Sequence, residues 1–475
     1  MGQNQAQERR ENINSRELVL TQKGEEITID NSGIQDQLLR DFLGREMGTL
    51  TSEGTMPPHI QIMQQQELVG YEPAADVGHF RFYPKGTLMK DLLEDLAEDV
   101  AIRRIGATKI DTPVIYKNEG AVKEQALSFH ESDYHMSEGD KEMILRFAGD
   151  FGLFSMIKDA RVSHKQLPLR VYEISPSFRR EKSGSCTGLK RLRGFTMPDI
   201  HSFAKDLPEG MREFAHLHRF YDSFLKESGL PFALGFRTTE EFYAKNKDFI
   251  QSRLEESGKD ALVEILADMK HYWVLKNEFQ YIDSTQDNVQ LSTVQLDISD
   301  ADRYGLGYTT ENGSKKPFTI VHSSMGSIER ILGAIIEERA KEMQRGIKPN
   351  FPYWLAPTQL RLIPVREGHE AYCQRLAEDL SRKVRIDIDD RGESVGKRVR
   401  AVEKEWIPAY AVIGDKEVKT NLYGLKTRGK LLGTDEEIDI LKLKNTLKTA
   451  QGNSPFRQSY LNRNVSRQLR FGSSY

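Results

Sequence analysis

Two cysteines in 475 residues are too few for a disulfide framework, and Cys186 and Cys373 stand far apart with no CxxC pair. That excludes a stapled secreted scaffold and a thioredoxin-type redox motif. No apolar run approaches the ~20 residues that span a bilayer. The opening "MGQNQAQERRENINSRELVL" has no apolar signal core either. The expectation is a soluble, cytoplasmic protein with no membrane partner. Charge of one sign is also missing: the formal net charge is -3, so an anionic partner must be held by local clusters. A Walker A sequence is absent, since "SVGKRV" lacks both the spacing and the hydroxyl. A nucleotide, if one is bound, must be gripped by arginines.

What is present divides into four stretches. Residues 1-65 are polar with short apolar patches and read as an N-terminal extension, small or partly disordered. Residues 66-348 begin with Leu92, Leu93, Leu96 and Val100 at helical spacing, stopped by Gly106. "ATKIDTPVIY" follows as a strand with Pro113 at an edge or bend, and "LRVYEIS" and "VQLDI" alternate as further strands. Strands arriving in groups predict an antiparallel α+β domain. "RGIKPNFPYWLAP" is a linker. Residues 349-452 then alternate strand and helix through "LRLIPV", "HEAYCQRLAEDL", "VRIDID" and "AYAVIGD", which predicts a small α/β domain. Residues 453-475 form a basic tail without an acid.

The densest chemistry lies in "FRREKSGSCTGLKRLRGF", residues 178 to 195. Arg179 leads off a strand, where a planar guanidinium fork can hold a phosphate at two points. Glu181 falls two residues on, on the same face of an extended chain, where an acid can accept from an exocyclic amine. Phe195 can stack on a base, and Arg191 lies four residues before it. Taken alone, such a cluster is also what a solvated hairpin looks like.

Phe-Arg-x-Glu, a loop, then Arg-x-x-x-Phe-x-x-x-Asp resembles motif 2 of the class II aminoacyl-tRNA synthetases. "GATKIDTPVIY" is similar to their motif 1, and "GSIERILGAIIEE" to their motif 3. The resemblance implies a fold with an antiparallel catalytic sheet, a homodimer with Pro113 at its interface, and ATP bound with Mg2+. It further implies that Arg179 holds the α-phosphate, Glu181 meets the adenine amine, and Phe195 stacks on the ring. Arg191 would lie near the phosphates, and Arg330 would grip the γ-phosphate from a helix. Otherwise "SIERILGAII" would be a core helix with Ile328, Ile331, Leu332 and Ile335 turned inward.

"LKRLRGFTMPDIHSFAKD", "YEPAADVGHFRFYPKG", "YWVLKNEFQYIDS" and "VIGDKE" narrow the resemblance to threonyl-tRNA synthetases of the archaeal type, over about residues 60 to 450. That implies threonine and tRNA(Thr) as substrates and a zinc ion that takes the amine and hydroxyl of threonine together. His201 and His322 match two zinc ligands. The family's cysteine position reads Asp150 in "RFAGDFG". An Asp/His/His site with an open position is chemically sound; the alternative is a site without metal, its histidines kept for hydrogen bonding. Asp199 is implied to take the substrate ammonium. Gln290, Thr293 and Gln295 match positions near ATP and substrate, or are structural polar residues of a mid-sheet strand. In the C-terminal domain, Glu417, Lys426 and Arg428 match the anticodon-reading edge. The basic tail is either a solvated end or a contact for the tRNA backbone. Only some 60 residues precede the matched region, too few for the editing domain that archaeal relatives carry. Mischarged serine would then need a separate trans-editing protein. A second reading is a synthetase-like RNA-binding or regulatory paralogue that no longer charges tRNA.

Overall fold

The structure, a computed structural model, describes residues 15-29, 33-50, 56-128, 133-182, 184-269, 271-428 and 437-471. The first 14 residues of the expected N-terminal extension and the last four of the tail lie outside them. The chain divides into two compact units. Among the described residues, no helix is long and apolar enough to cross a membrane.

The first unit, residues 1-57, 77-79 and 97-334, is built on one ten-stranded sheet. Its strands are β1 (Ser15–Leu20), β2 (Glu26–Ile27), β3 (Thr108–Lys109), β4 (Leu169–Phe178) and β5 (Gly194–Ala204). They continue with β6 (Ala233–Thr239), β7 (Ala261–Leu266), β8 (Trp273–Ile282), β9 (Asn288–Asp297) and β10 (Thr319–Ser324). The order is β2-β1-β7-β6-β8-β9-β10-β5-β4-β3. Neighbours run antiparallel except at β6–β7 and β3–β4, which agrees with the α+β expectation. Helices α1 (Gln37–Glu46), α2 (Asp150–Asp159), α3 (Leu207–Glu227) and α4 (Glu240–Ser257) accompany it. Helix α5 (Ile328–Gln344) follows β10.

Residues 15-29 and 33-50 are not a loose extension. Strand β1 pairs along its length with β7, from Ser15 opposite Leu266 to Leu20 opposite Ala261. Val19, Leu39, Phe42 and Leu43 are buried with Leu262 and Ile282. Asp36 caps α1 by accepting from the Leu38 amide. "LVL" and "LLRDFL" are too short to read as core by themselves. They become core because the open edge at β7 needs a partner. The strand expected at "ATKIDTPVIY" is also broken into Thr108–Lys109 and Ile115–Lys117, with Pro113 in the gap. Proline has no amide to donate to a ladder.

The second unit, residues 58-76, 80-96 and 335-475, has a sheet of β11 (Leu360–Pro364), β12 (Ile386–Ile388), β13 (Ala409–Ile413), β14 (Tyr423–Thr427) and β15 (Glu437–Ile438). The order is β12-β11-β13-β14-β15. The first three strands are parallel and the last two antiparallel. Helices α6 (Glu370–Leu380), α7 (Val395–Lys404) and α8 (Ile440–Gln451) connect or follow them. Buried Arg361 spans the sheet to Asp387 at 2.7 Å and Glu405 at 3.0 Å.

The basic tail folds back on this unit. Arg457 pairs with Asp91 and Asp95, Ser466 and Asn464 hydrogen-bond Asp390, and Phe471 stacks on Tyr83 with centroids 4.2 Å apart. Its arginines lack acids in the tail but find them elsewhere in the unit, so residues 453-471 are docked chain and not a solvated end.

Candidate active site

The central strands of the first unit bring the expected residues onto one face through simple alternation. Register places His201 of β5 opposite His322 of β10, and Asp199 opposite Ser324. On the other side of β10, Gln295 of β9 lies opposite His322, and Thr293 opposite Ser324. Helix α2 begins at Asp150, facing the histidines. The loop before it is pinned by buried Arg146, which donates to Thr112 and Glu173 at 2.9 Å and to the Pro176 carbonyl at 2.6 Å. Gly149 is needed by packing: a Cβ there would stand 3.2 Å from the Asp199 carboxylate and from Ser175 Oγ.

Three donors converge. Asp150 Oδ1 lies 2.9 Å from His201 Nε2 and 3.8 Å from His322 Nδ1. The other nitrogen of His322, Nε2, is held by buried Asp297 at 2.8 Å. All three ligand atoms lie within 4.8 Å of one another. A carboxylate on the far nitrogen of a ligating histidine fixes its ring and tautomer, so the residues fit a metal ion with an open coordination position. Phe154 packs its ring against both imidazoles and gives the cluster a dry wall.

Burial and charge shift the groups strongly. Burial pushes the Asp199 carboxyl up to about 8, and the charge of Asp150 adds to it. Burial also disfavours an ionised Asp150, but hydrogen bonds from His201 and His322 outweigh it and hold the carboxyl well below its usual range. Burial lowers His201. For His322 burial is overcome by Asp150 and Asp297, which raise it to about 10. Two carboxylates pushed apart in one pocket mark a site with divided roles.

Next to these residues, arginines gather. Arg179 donates through Nε to the Phe147 carbonyl at 3.1 Å and lies over the Phe195 ring, 5.4 Å from its centroid. Arg330, two residues into α5, donates to the Lys190 carbonyl at 2.9 Å and the Gln290 carbonyl at 3.3 Å. Burial and the positive charge of Arg179 bring the Arg330 guanidinium down to about 10. Forcing cations together at a half-buried place is costly without an anion. Gly326, at φ 91°, makes the turn into α5 and passes so close to Leu291 that no side chain fits.

Several expectations need correction. Arg179 and Glu181 do not share a strand face, because β4 ends at Phe178 and the chain turns, with the Glu181 amide donating to the Arg179 carbonyl. Glu181 is paired with Arg191 through one carboxylate oxygen at 2.9 Å. Thr293 turns its hydroxyl to the Asn277 carbonyl. Gln295 accepts from Tyr272. In the second unit, Arg428 is buried, bound to Glu403 and to the Pro349 carbonyl. Glu417 accepts from the Gly414 amide and caps a short helix. Lys426 is exposed on β14.

Two residues of the site escaped the sequence reading. Asp297 follows Gln295 by two in "VQLDI", so strand alternation alone places it on the same face. Tyr272, whose ring lies 5.0 Å from that of His322, stands just outside β8 and carries no pattern that could have found it.

The antiparallel sheet, arginine-bearing hairpin and capping helix define a class II aminoacyl-tRNA synthetase. Residues 130–339 match the family profile described as the tRNA synthetase class II core domain (G, H, P, S and T), and residues 359–450 match the anticodon binding domain. The threonine--tRNA ligase of Thermococcus kodakarensis is 38% identical over 95% of this chain and 73% of its own length. That of Pyrococcus horikoshii is 41% identical over 90% and 70%. The chain belongs to the threonine--tRNA ligase family. Among solved structures, the RNA binding domain of threonyl-tRNA synthetase from Cryptosporidium parvum superposes with a TM-score of 0.72 at 22% identity, over 84% of this chain and 99% of that one. A prolyl-tRNA synthetase from the same organism gives 0.63 at 15%, over 83% and 75%. At those identities the likeness is one of fold.

Proposed function

We propose that the chain activates threonine with ATP and transfers it to tRNA(Thr). The observation that carries this reading is the pairing of an arginine cluster, Arg179 and Arg330, with an adjoining pocket lined by Asp199, His201, His322 and Asp150. A triphosphate answers the first, and a small zwitterion with a hydroxyl answers the second.

In this reading ATP enters with Mg2+, and Phe195 stacks on adenine. Glu181 accepts from the adenine amine, and Arg191 lies near the phosphates. The threonine carboxylate attacks the α-phosphate in line, and Arg179 absorbs the charge that builds on the phosphoryl oxygens. Arg330 holds the leaving pyrophosphate. Asp199 holds the substrate's amino group, and the terminal ribose hydroxyl of tRNA then attacks the carbonyl carbon of the adenylate, giving up its proton and releasing AMP. No side chain serves as a covalent nucleophile. Lys426 remains the expected side chain at the anticodon edge, where unstacked bases are read by polar groups. A homodimer and a cytoplasmic setting belong to the same proposal.

A zinc ion held by Asp150, His201 and His322 would offer one Lewis-acidic seat to the amine and hydroxyl of threonine together. Asp150 makes this a harder donor set than one with a thiolate. Asp199 and the two imidazoles orient the amine end, while Tyr272 and Gln295 close the pocket through their hydrogen bond. Valine, lacking the hydroxyl, would leave buried polar groups unpaired, which costs about 10⁴ in specificity. Serine keeps the hydroxyl and loses one methyl, a difference of only about 10- to 200-fold.

The test is ATP–pyrophosphate exchange with each amino acid, followed by charging of tRNA(Thr). Threonine-dependent exchange is expected, with serine weaker and valine silent. Exchange with no amino acid would favour the regulatory paralogue instead.

A further inference from the structure

Lys190 sits in the hairpin between Arg179 and Phe195 and has no role in the reading above. Its ammonium donates to Asp283 at 2.7 Å and Asp287 at 2.9 Å. These carboxylates belong to the tight turn between β8 and β9. The second oxygen of Asp283 accepts from the amides of Thr285 and Asp287 and from the Thr285 hydroxyl. The turn is therefore internally fixed. The second oxygen of Asp287 accepts from Arg45 of α1 at 2.6 and 3.1 Å. Lys190 also presents its carbonyl to Arg330 Nε, and Gln290, three residues past Asp287, presents its carbonyl to Arg330 Nη1. Both carbonyls that orient the Arg330 fork therefore lie on segments tied to one turn. Leu189 packs against Gly333 of α5, where an added Cβ would meet it at 3.0 Å, so the hairpin and helix have no slack at this point.

We propose that Lys190 is a positioning residue for Arg330, locking the hairpin to the β8–β9 turn, with Arg45 of the N-terminal segment as the outer end of the network. The proposal rests on the reading of Arg330 as a phosphate ligand. It gives helix α1, through Arg45, a part in nucleotide binding that its distance in sequence conceals. The two aspartates outweigh the effect of burial and raise the Lys190 pKa, so the lysine stays charged and the lock closed at neutral pH. A merely structural ion pair would lower stability and move all kinetic constants together. A positioning lock acts on ATP and spares threonine, whose pocket lies on β5, β9 and β10.

The experiment compares the full-length parent with Lys190→Met, Lys190→Arg and Asp283→Asn. Exchange is measured with ATP and threonine varied separately, and ATP binding by equilibrium dialysis. Lys190→Met should raise the KM and Kd for ATP about 10-fold while leaving the KM for threonine near the parent value, with a lowered melting temperature because buried Asp283 loses its counter-ion. Lys190→Arg should recover most of the loss, and Asp283→Asn should resemble Lys190→Met. Unchanged ATP binding in Lys190→Met overturns the proposal, and so does a joint change in both KM values. If Lys190→Met fails to fold, Arg45→Met at the outer end decides: about 3-fold weaker ATP binding supports the lock, and parental binding overturns it. A parent that binds ATP but exchanges with no amino acid defeats the proposed function, while dialysis still judges the lock. A parent that binds no ATP overturns the lock as well.

Discussion

His218, in the middle of α3, is fully buried between the rings of Phe236 and Phe279, and neither ring nitrogen has a hydrogen-bond partner among the described residues. Burial, aided by Arg253, brings it down to about 3. The native state therefore keeps this imidazole neutral while an unfolded chain protonates it near its ordinary value of 6.5. Its contribution is intact above that value. It is lost as pH falls toward about 3, because only the unfolded state binds the proton, at about 1.4 kcal/mol per pH unit. Denaturant melts of the parent and His218→Leu between pH 7 and 4 should show the smaller acid loss in the variant. Parallel profiles would mean that the imidazole is hydrated or paired. At the arginine proposed to hold phosphate, Arg330→Lys keeps the charge but loses the planar fork held by two carbonyls. It should lower kcat/KM for exchange by about 100-fold or more with an unchanged circular dichroism spectrum. Parental exchange in this variant would remove Arg330 from the phosphate site. At the metal cluster, Asp150→Cys should bind zinc more tightly than the parent in a chelator competition, and Asp150→Ala should lose it. Equal metal content in all three would mean that Asp150 is not a ligand.

Elements show where sequence reading succeeded. His201 and Asp199 could be placed together because two-residue spacing in a strand fixes the face, and "FTMPDIHSF" is long enough to be a strand in any fold. Arg330 is expected on a helix through the resemblance of "GSIERILGAIIEE" to motif 3, and it lies in α5. Arg179 and Glu181 went wrong for a local reason: the strand stops one residue earlier than the pattern implies. Pairing is what escaped. Glu181–Arg191, Arg428–Glu403 and Arg457 with Asp91 and Asp95 join residues 10 to 366 positions apart, and no local pattern shows which acid an arginine will find. The same holds for β1, whose three apolar residues matter only because β7 leaves an edge open. One buried pairing invites a test. Arg361 is 0% exposed and carries Asp387, which is 2% exposed, together with Glu405. Arg361→Met leaves Asp387 without its counter-ion, while Glu405 keeps Lys85 and Arg470, and should cost about 3–5 kcal/mol by urea denaturation. A loss below about 1 kcal/mol would mean that water replaces the guanidinium.

On the scale of the whole molecule, the first unit supplies an activation site and the second an α/β fold matching an anticodon binding domain. The two sites differ in how fully the structure supports them. The activation site has a fixed arginine pair, a three-donor cluster and a second carboxylate held apart from it in charge. At the anticodon edge, Arg428 is spent on structure and Lys426 stands exposed. Amino-acid specificity therefore offers the sharper test, since the pocket proposed for it is lined by residues of the first unit. The deciding measurement is ATP–pyrophosphate exchange by the purified protein with threonine, serine and valine, before and after zinc is removed by a chelator and restored. Exchange with threonine, about 10- to 200-fold weaker with serine and about 10⁴ below threonine with valine, lost on chelation and regained with zinc, is the predicted result. Exchange that treats valine like threonine, or none with any amino acid, would contradict it.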